Sequence, residues 1–255
     1  MKKEDEVYYR LHARSQAFNS LVEKTVIFLK SVLENHHNPY CSYSTGKDSL
    51  VMLSLCQKVF PDMCTMYHDS GVELPESHDI MKKAEQYFKI TIHIVISPVD
   101  VLKIYKKKGV FAEGANKDYA WTPAMMNPIM VWAQKHKRDV AFIGLRKQES
   151  RPRKILLLKR GKYFYAKTKH IHEAFPLADW TAQDVFAFIV SRGLECLLHP
   201  AYSKTRFVQS PEDIRVSWYC DPSMIKKGYF VWLRYYYPIL FQSLRKQFPE
   251  VCSYA

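Results

Sequence analysis

Apolar residues recur at helical spacing from about Ser15 to Leu33 (Phe18, Leu21, Val22, Val26, Leu29, Val32, Leu33) and predict an amphipathic helix. Thr25 interrupts that face without breaking its period, and His36-His37-Asn38-Pro39 ends it. Tyr40–Tyr43 reads as a short strand, Ser44-Thr45-Gly46 as a loop, and about Asp48 to Val59 as a helix. Pro61-Asp62 turns the chain into a second strand, Met63–Tyr67, and Leu74-Pro75-Glu76-Ser77 opens a helix running to about Phe88. The β-branched run Ile90–Ile96 is the clearest strand. A helix at about Val99–Lys107, a turn-rich stretch Gly109–Trp121, a helix at about Ala124–Lys137 and a strand at Val140–Gly144 follow.

Strands alternating with helices of this length predict an α/β fold whose parallel sheet is covered on both faces, with ligands at the carboxyl ends of the strands. Beyond Arg153 the rhythm changes. Ile155–Lys159 and Lys162–Lys167, joined by Arg160-Gly161, predict a hairpin, and Asp179 is the expected N-cap of a helix reaching about Val190. Residues from about Ser203 to Lys227 read as a long irregular loop. The aromatic-rich helix at about Gly228–Phe248 should kink at Pro238, its rings serving as core.

Charge narrows the partners. Lys and Arg number 38 against 25 Asp and Glu, giving a net charge of +13 in 255 residues. Such a balance favours polyanions such as nucleic acid, an anionic membrane face or phosphorylated small molecules, and it also fits a plain basic surface. The six cysteines (Cys41, Cys56, Cys64, Cys196, Cys220, Cys252) form no C-x-x-C pair, which argues against a zinc site or an iron–sulfur cluster held by closely spaced thiolates. The charged start MKKEDEVYYR lacks an apolar signal region, and no apolar run approaches the ~18 residues of a membrane span. The expectation is a cytoplasmic protein with reduced thiols and no membrane partner.

Ser44-Thr45-Gly46-Lys47-Asp48-Ser49 lies between a strand and a helix, where three features suit a polyphosphate. Gly46 is expected to take positive φ and let the backbone approach. The N–H groups at the helix start point at an anion. Lys47 adds a full charge, and Ser44 and Ser49 add hydroxyls. The spacing is not that of a Walker A loop.

The loop resembles the S-G-G-K-D-S pyrophosphate loop of N-type ATP pyrophosphatases and phosphoadenosine phosphosulfate (PAPS) reductase-like proteins, with Thr45 in place of the first glycine. Three further segments match in order. Asp69-Ser70-Gly71-Val72-Glu73-Leu74-Pro75-Glu76 is similar to D-T-G-x-x-x-P-E. Gly144-Leu145-Arg146-Lys147-Gln148-Glu149-Ser150-Arg151-Pro152-Arg153 is similar to G-x-R-x-x-E-S-x-x-R. Pro176-Leu177-Ala178-Asp179-Trp180-Thr181 with Asp184-Val185 is similar to P-[LI]-x-x-W-[TS]-x-x-D-[VI]. The resemblance implies a doubly wound, five-stranded parallel sheet of the adenine nucleotide alpha-hydrolase-like type. It divides the chain into an N-terminal helix (1–38), a phosphate-loop domain (39–195) and an irregular, mostly helical C-terminal extension (196–255).

It further implies ATP bound by Ser42, Ser44, Thr45, Gly46, Lys47, Asp48, Ser49, His68, Asp69, Gly144, Arg146, Glu149 and Arg153, with backbone near Ser42 and His68 facing adenine. Lys47, Asp48, Arg146 and Arg151 are the implied catalytic residues. Asp48 or Asp69 is the candidate Mg²⁺ ligand, directly or through water. Arg146, Arg151 and Arg153 can present forked donors to phosphate or sulfate, and Glu149 can orient one of them.

Two departures separate the functions. The reductases' C-terminal E-C-G-[LI]-H motif is missing, since the chain ends Glu250-Val251-Cys252-Ser253-Tyr254-Ala255. Glu195-Cys196-Leu197-Leu198-His199 resembles that motif, but it overlaps the x-x-P-[LI]-Y turn at His199-Pro200-Ala201-Tyr202. Near Cys220, Ser217 stands where relatives often carry a second cysteine. The first expectation is an ATP pyrophosphatase, giving AMP or an adenylated acceptor and pyrophosphate in a sulfur-transfer pathway such as DNA phosphorothioation, with a cysteine desulfurase or other sulfur carrier as partner. The alternatives are a PAPS or APS reductase using Cys196 or Cys252, and a non-catalytic nucleotide-binding subunit resembling the small subunit of sulfate adenylyltransferase.

Overall fold

A computed structural model of the chain describes residues 3–111, 120–208 and 213–255. Parts of the expected turn-rich stretch (112–119) and irregular loop (209–212) lie outside the described residues. The elements run α1 (Lys3–His12), α2 (Gln16–Leu33), β1 (Pro39–Tyr43), α3 (Lys47–Val59), β2 (Cys64–Asp69), α4 (Ser77–Phe88), β3 (Ile92–Ile96) and α5 (Val101–Lys108). They continue with α6 (Asn127–Lys135), β4 (Val140–Ile143), α7 (Arg151–Arg160), β5 (Tyr163–Ala166), β6 (Ile171–Ala174), α8 (Ala182–Ser191), α9 (Tyr229–Tyr236) and α10 (Pro238–Gln247).

The sheet has six strands in the order β3-β2-β1-β4-β6-β5. Five are parallel, as expected; the sixth, β5, adds to β6 antiparallel at the edge. The strand order reverses between β1 and β4, so the crevice at the carboxyl ends of this kind of sheet opens where the Ser44–Ser49 loop and the Gly144–Arg146 segment leave their strands.

Helices cover both faces. Phe18 and Leu29 of α2, Leu53 of α3, Phe188 of α8 and Trp180 pack into one cluster on β1, while Ala133 and Trp132 of α6 cover Tyr40, Met66 and Ala141 on the other face. The break at Thr25 has its reason here: the buried Thr25 hydroxyl accepts from the Trp180 indole at 2.9 Å and donates to the Leu21 carbonyl. At the N-terminus, α1 lies on α8, with Tyr9 stacked on Phe186 at 5.2 Å and His12 2.7 Å from Asp184.

Four local expectations are corrected. Residues Ile155–Lys159 form α7 rather than a strand, because the Ser150 hydroxyl accepts from the Arg153 N–H and Pro152 suits the first turn. The hairpin is β5–β6 instead. The N-cap of α8 is Thr181, whose side chain and that of Asp184 satisfy each other's backbone N–H; Asp179 is drawn to Lys147 and Lys162. The aromatic helix breaks fully at Tyr237 ahead of Pro238. A π turn, Thr122–Met126, precedes α6.

Candidate functional site

The loop after β1 is built on a left-handed residue, and that residue is Thr45. Its φ is 57°, whereas Gly46 has φ −77° and caps α3 in extended geometry, so the expectation of positive φ at Gly46 is overturned. A β-branched residue in this region is strained. The Thr45 hydroxyl donates to the Ser44 carbonyl at 2.7 Å. Around it, the Ser49 hydroxyl accepts from the Ser44 N–H and hydroxyl, both at 3.1 Å, and donates to the Gly46 carbonyl. The loop thus closes on itself and leaves the start of the 13-residue helix α3 facing the crevice.

Behind that start lies a buried ion triad. Asp48 takes the Lys47 ammonium on Oδ2 at 2.6 Å and the Arg146 Nε on Oδ1 at 2.5 Å. Lys47 is 4% exposed and Arg146 1%. Burial alone would raise the Asp48 carboxyl, but the charges of Lys47 and Arg146 outweigh it and hold that carboxyl below its ordinary range. Burial alone would lower the Lys47 ammonium, and the Asp48 charge reverses this too. Two cations and one carboxylate thus stand together beside the helix N-terminus.

The β4 segment holds this in place. Arg146 also reaches the Trp180 carbonyl from Nη1 at 3.4 Å, and its own N–H donates to Glu149 Oε2 at 2.9 Å. Glu149 pairs in turn with Arg153. Gly144 lets the two loops touch, with the Asp48 backbone where a β-carbon would stand. Lys47, Asp48, Ser44, Ser49, Gly144 and Arg146 therefore converge, with Glu149 and Arg153 one step away.

Other expected residues take different places. Arg151 is exposed on the first turn of α7. Ser42 is half-buried in β1. His68 donates to the Ala124 carbonyl at 2.8 Å; Pro128, four residues on, has no N–H to offer that oxygen. Burial lowers the His68 imidazole, keeping it neutral. Asp69 accepts the Gly71 N–H at 2.9 Å on one oxygen and meets His78 at 2.9 Å on the other.

Both oxygens of Asp48 face cations, so Asp48 does not fit a direct Mg²⁺ ligand, whereas Asp69, which meets only one N–H and the half-exposed His78, would be the residue to hold the ion. Among the described residues, no group of three or more His, Cys, Asp and Glu side chains is arranged to hold a metal. The loop does fit polyphosphate: it offers a helix N-terminus, the Lys47 and Arg146 cations and serine hydroxyls.

Two further groups stand at the site. The Tyr202 hydroxyl accepts from the Lys47 N–H at 3.3 Å and sits 3.6 Å from where a Gly46 β-carbon would be. Its position in the His199–Tyr202 turn was the signal for it. Arg215, half-buried and close enough to act on the Tyr202 phenol, has no ion pair among the described residues. It lies beyond every matched segment, and nothing in the sequence pointed to it.

A mostly parallel sheet with helices on both faces and the Ser44–Ser49 loop at its switch point defines a doubly wound α/β protein. Residues 38–205 match the family described as phosphoadenosine phosphosulfate reductase domain, and the chain belongs to that family. It is 25% identical over 251 residues to an uncharacterized protein of Methanocaldococcus jannaschii, covering 87% of this chain and 59% of that one. It is 24% identical over 206 residues to sulfate adenylyltransferase subunit 2 of a Marinomonas species, covering 69% of this chain and 65% of the relative. The chain thus spans about six-tenths of the length of these curated relatives. A solved structure of the U34-tRNA thiolase NcsA from Methanococcus maripaludis with its [4Fe-4S] cluster shares the fold, with a TM-score of 0.52 and 16% identity over 94% of this chain and 82% of that one. Among the described residues, no helix is long and apolar enough to cross a membrane.

Proposed function

We propose that the chain is an adenylating ATP pyrophosphatase working in a sulfur-transfer pathway. The observation that carries this reading is the buried Lys47–Asp48–Arg146 triad, set behind the start of α3 at the sheet's switch point. The loop and helix N-terminus bind the β- and γ-phosphates, and the triad with Arg215 offsets the charge that gathers on them. An acceptor oxygen attacks the α-phosphorus, the bond from that phosphorus to the bridging oxygen breaks, and pyrophosphate leaves with the electron pair. The acceptor's proton passes to solvent. ATP supplies the activation and the acceptor becomes an adenylate, ready for displacement by sulfur from a carrier such as a cysteine desulfurase.

Pyrophosphate and AMP formation from ATP, followed with α-labelled nucleotide and Mg²⁺, tests the reading. Lys47→Ala is expected to abolish both products while the circular dichroism spectrum is retained. ADP and phosphate as products would overturn it.

The family match supports a second reading, reduction of PAPS. Sulfite release from PAPS with thioredoxin would move the assignment there. Likeness to sulfate adenylyltransferase subunit 2 supports a third, in which nucleotide binds without turnover until a partner subunit docks.

A further inference from the structure

Residues 204–207 and α9 build a second feature, an exposed aromatic platform around one guanidinium. Arg206 lies 4.8 Å from the Phe207 ring centre and 5.2 Å from that of Tyr235, and donates to the Tyr235 hydroxyl at 3.2 Å. The two rings meet edge to face at 5.2 Å. Both are left in water, Phe207 43% and Tyr235 53% exposed. Phe207 also holds φ 69°, a left-handed conformation that costs a non-glycine residue about 1–2 kcal/mol, and its exposed ring recovers little of this by burial.

The chain beside the platform is anchored to the fold. The Trp232 indole donates to the Lys204 carbonyl at 2.5 Å, and the Lys204 ammonium reaches Glu76 at 3.1 Å and the Tyr237 hydroxyl at 2.9 Å. Side chains already packed on one another lose less entropy when something stacks on them.

We infer that this platform receives an unpaired base of a single-stranded nucleic acid. Ring faces and a guanidinium plane offer stacking that is tolerant of sequence, and the Arg206 charge, within a chain of net charge +13, attracts the phosphate backbone. An acidic peptide would have no use for the rings, and an apolar peptide none for the guanidinium. Phe207 follows Tyr202 by five residues, a reach of at most about 18 Å, and Tyr202 bonds the phosphate loop. A strand stacked on the platform therefore passes within a few nucleotides of the reacting phosphate. Naming the acceptor's class in this way rests on the adenylating reading; the binding surface itself does not.

Anisotropy of a fluorescein-labelled twelve-residue oligothymidylate, in buffer without ATP, tests it. Phe207→Ala and Tyr235→Ala are each expected to weaken binding about 5- to 100-fold, the range for losing one stacked base. Tyr235→Phe is expected to keep most of the affinity, and Arg206→Lys to lose several-fold despite its charge. ATP affinity is expected to be unchanged in all four. A parent protein that does not bind the oligonucleotide, folded alanine variants that bind it as the parent does, or polyglutamate binding as tightly would each overturn the proposal. Because ATP is left out, failure of the platform and failure of the adenylating reading register in separate experiments.

Discussion

Gly144 lies so close to Asp48 that a β-carbon there would stand 2.8 Å from the Asp48 carbonyl oxygen, 2.9 Å from its carbonyl carbon and 3.1 Å from the Ser49 nitrogen. These are backbone atoms in the first turn of α3, held by the loop's own hydrogen bonds, so they cannot swing aside as a side chain would. Gly144→Ala is expected to push the segment after β4 away from α3, loosen the Asp48–Arg146 contact and cost about 1–3 kcal/mol. Urea unfolding reads the stability, and titration calorimetry should show ATP affinity lowered at least about tenfold. A variant with the parent's unfolding midpoint and affinity would mean the two loops part without consequence.

The triad gives a sharper case. Asp48→Asn keeps the shape but leaves the Lys47 and Arg146 cations buried without their carboxylate, at an expected cost of about 3–5 kcal/mol. The native carboxyl is held below the unfolded value, so its contribution is fully present above the ordinary carboxylate range and is lost as pH falls through the folded pKa. Chemical denaturation of parent and variant from pH 7 downward should therefore show the gap closing toward acid. A gap that stays constant with pH would contradict this account.

Thr45 stands where the family's loops carry glycine, at φ 57°. Thr45→Gly removes a left-handed strain of about 1–2 kcal/mol and restores about 0.5–1 kcal/mol of chain entropy to the unfolded state, so a net stabilisation near 0.5–1 kcal/mol is expected. Differential scanning calorimetry should place its Tm slightly above the parent's. A lower Tm would show that the Thr45–Ser44 hydrogen bond outweighs the strain.

Much of this was legible in sequence, and the misses have physical causes. The strand–loop–helix run at Tyr40–Val59 is found as β1, loop and α3, and the matched segment's Gly144 and Arg146 do meet Asp48 beside that loop. Glycine usually carries positive φ, which predicts it at Gly46, yet the strained neighbour Thr45 carries it here. The run Ile155–Leu158 is too short for periodicity to separate strand from helix; Ser150 and Pro152 held the information. Arg215 comes into electrostatic range of Tyr202 through tertiary folding that no local pattern encodes.

Two groups, His199 and Glu73, should give opposite pH slopes. Burial drops the His199 imidazole to about 4, and burial lifts the Glu73 carboxyl to about 7 despite the Ser70 hydroxyl on it. His199 is neutral in the fold and protonates on unfolding, so its contribution is complete above about pH 6.5 and is lost as pH falls toward 4. Glu73 is protonated in the fold and ionises on unfolding, so its contribution is lost as pH rises from the ordinary glutamate range toward 7. The two offset each other between about pH 4.5 and 6.5. Glu73→Gln should remove one slope, gaining on the order of 1–3 kcal/mol over the parent at pH 8 and little at pH 4.5. Equal shifts at both values would show that Glu73 does not titrate in this range.

The cysteines decide between the two chemistries open to this family. Cys196 and Cys252 are exposed, on the short 3₁₀ segments Glu195–Leu197 and Pro249–Tyr254, while Cys41, Cys56 and Cys220 are buried. Cleavage between the α- and β-phosphates needs charge neutralisation and a positioned acceptor, neither of which calls for a thiol. Reduction of PAPS to sulfite does, because the sulfonate must be carried on a thiolate. The double variant Cys196→Ser, Cys252→Ser is expected to release pyrophosphate from ATP within about twofold of the parent rate, since surface substitutions away from a site change little. Anaerobically purified parent protein is expected to carry no stoichiometric iron or acid-labile sulfide, as the chain has no C-x-x-C pair. If the parent makes sulfite from PAPS with thioredoxin and the double variant does not, the exposed thiols are the reacting groups and the triad at Lys47 binds a sulfonucleotide for them.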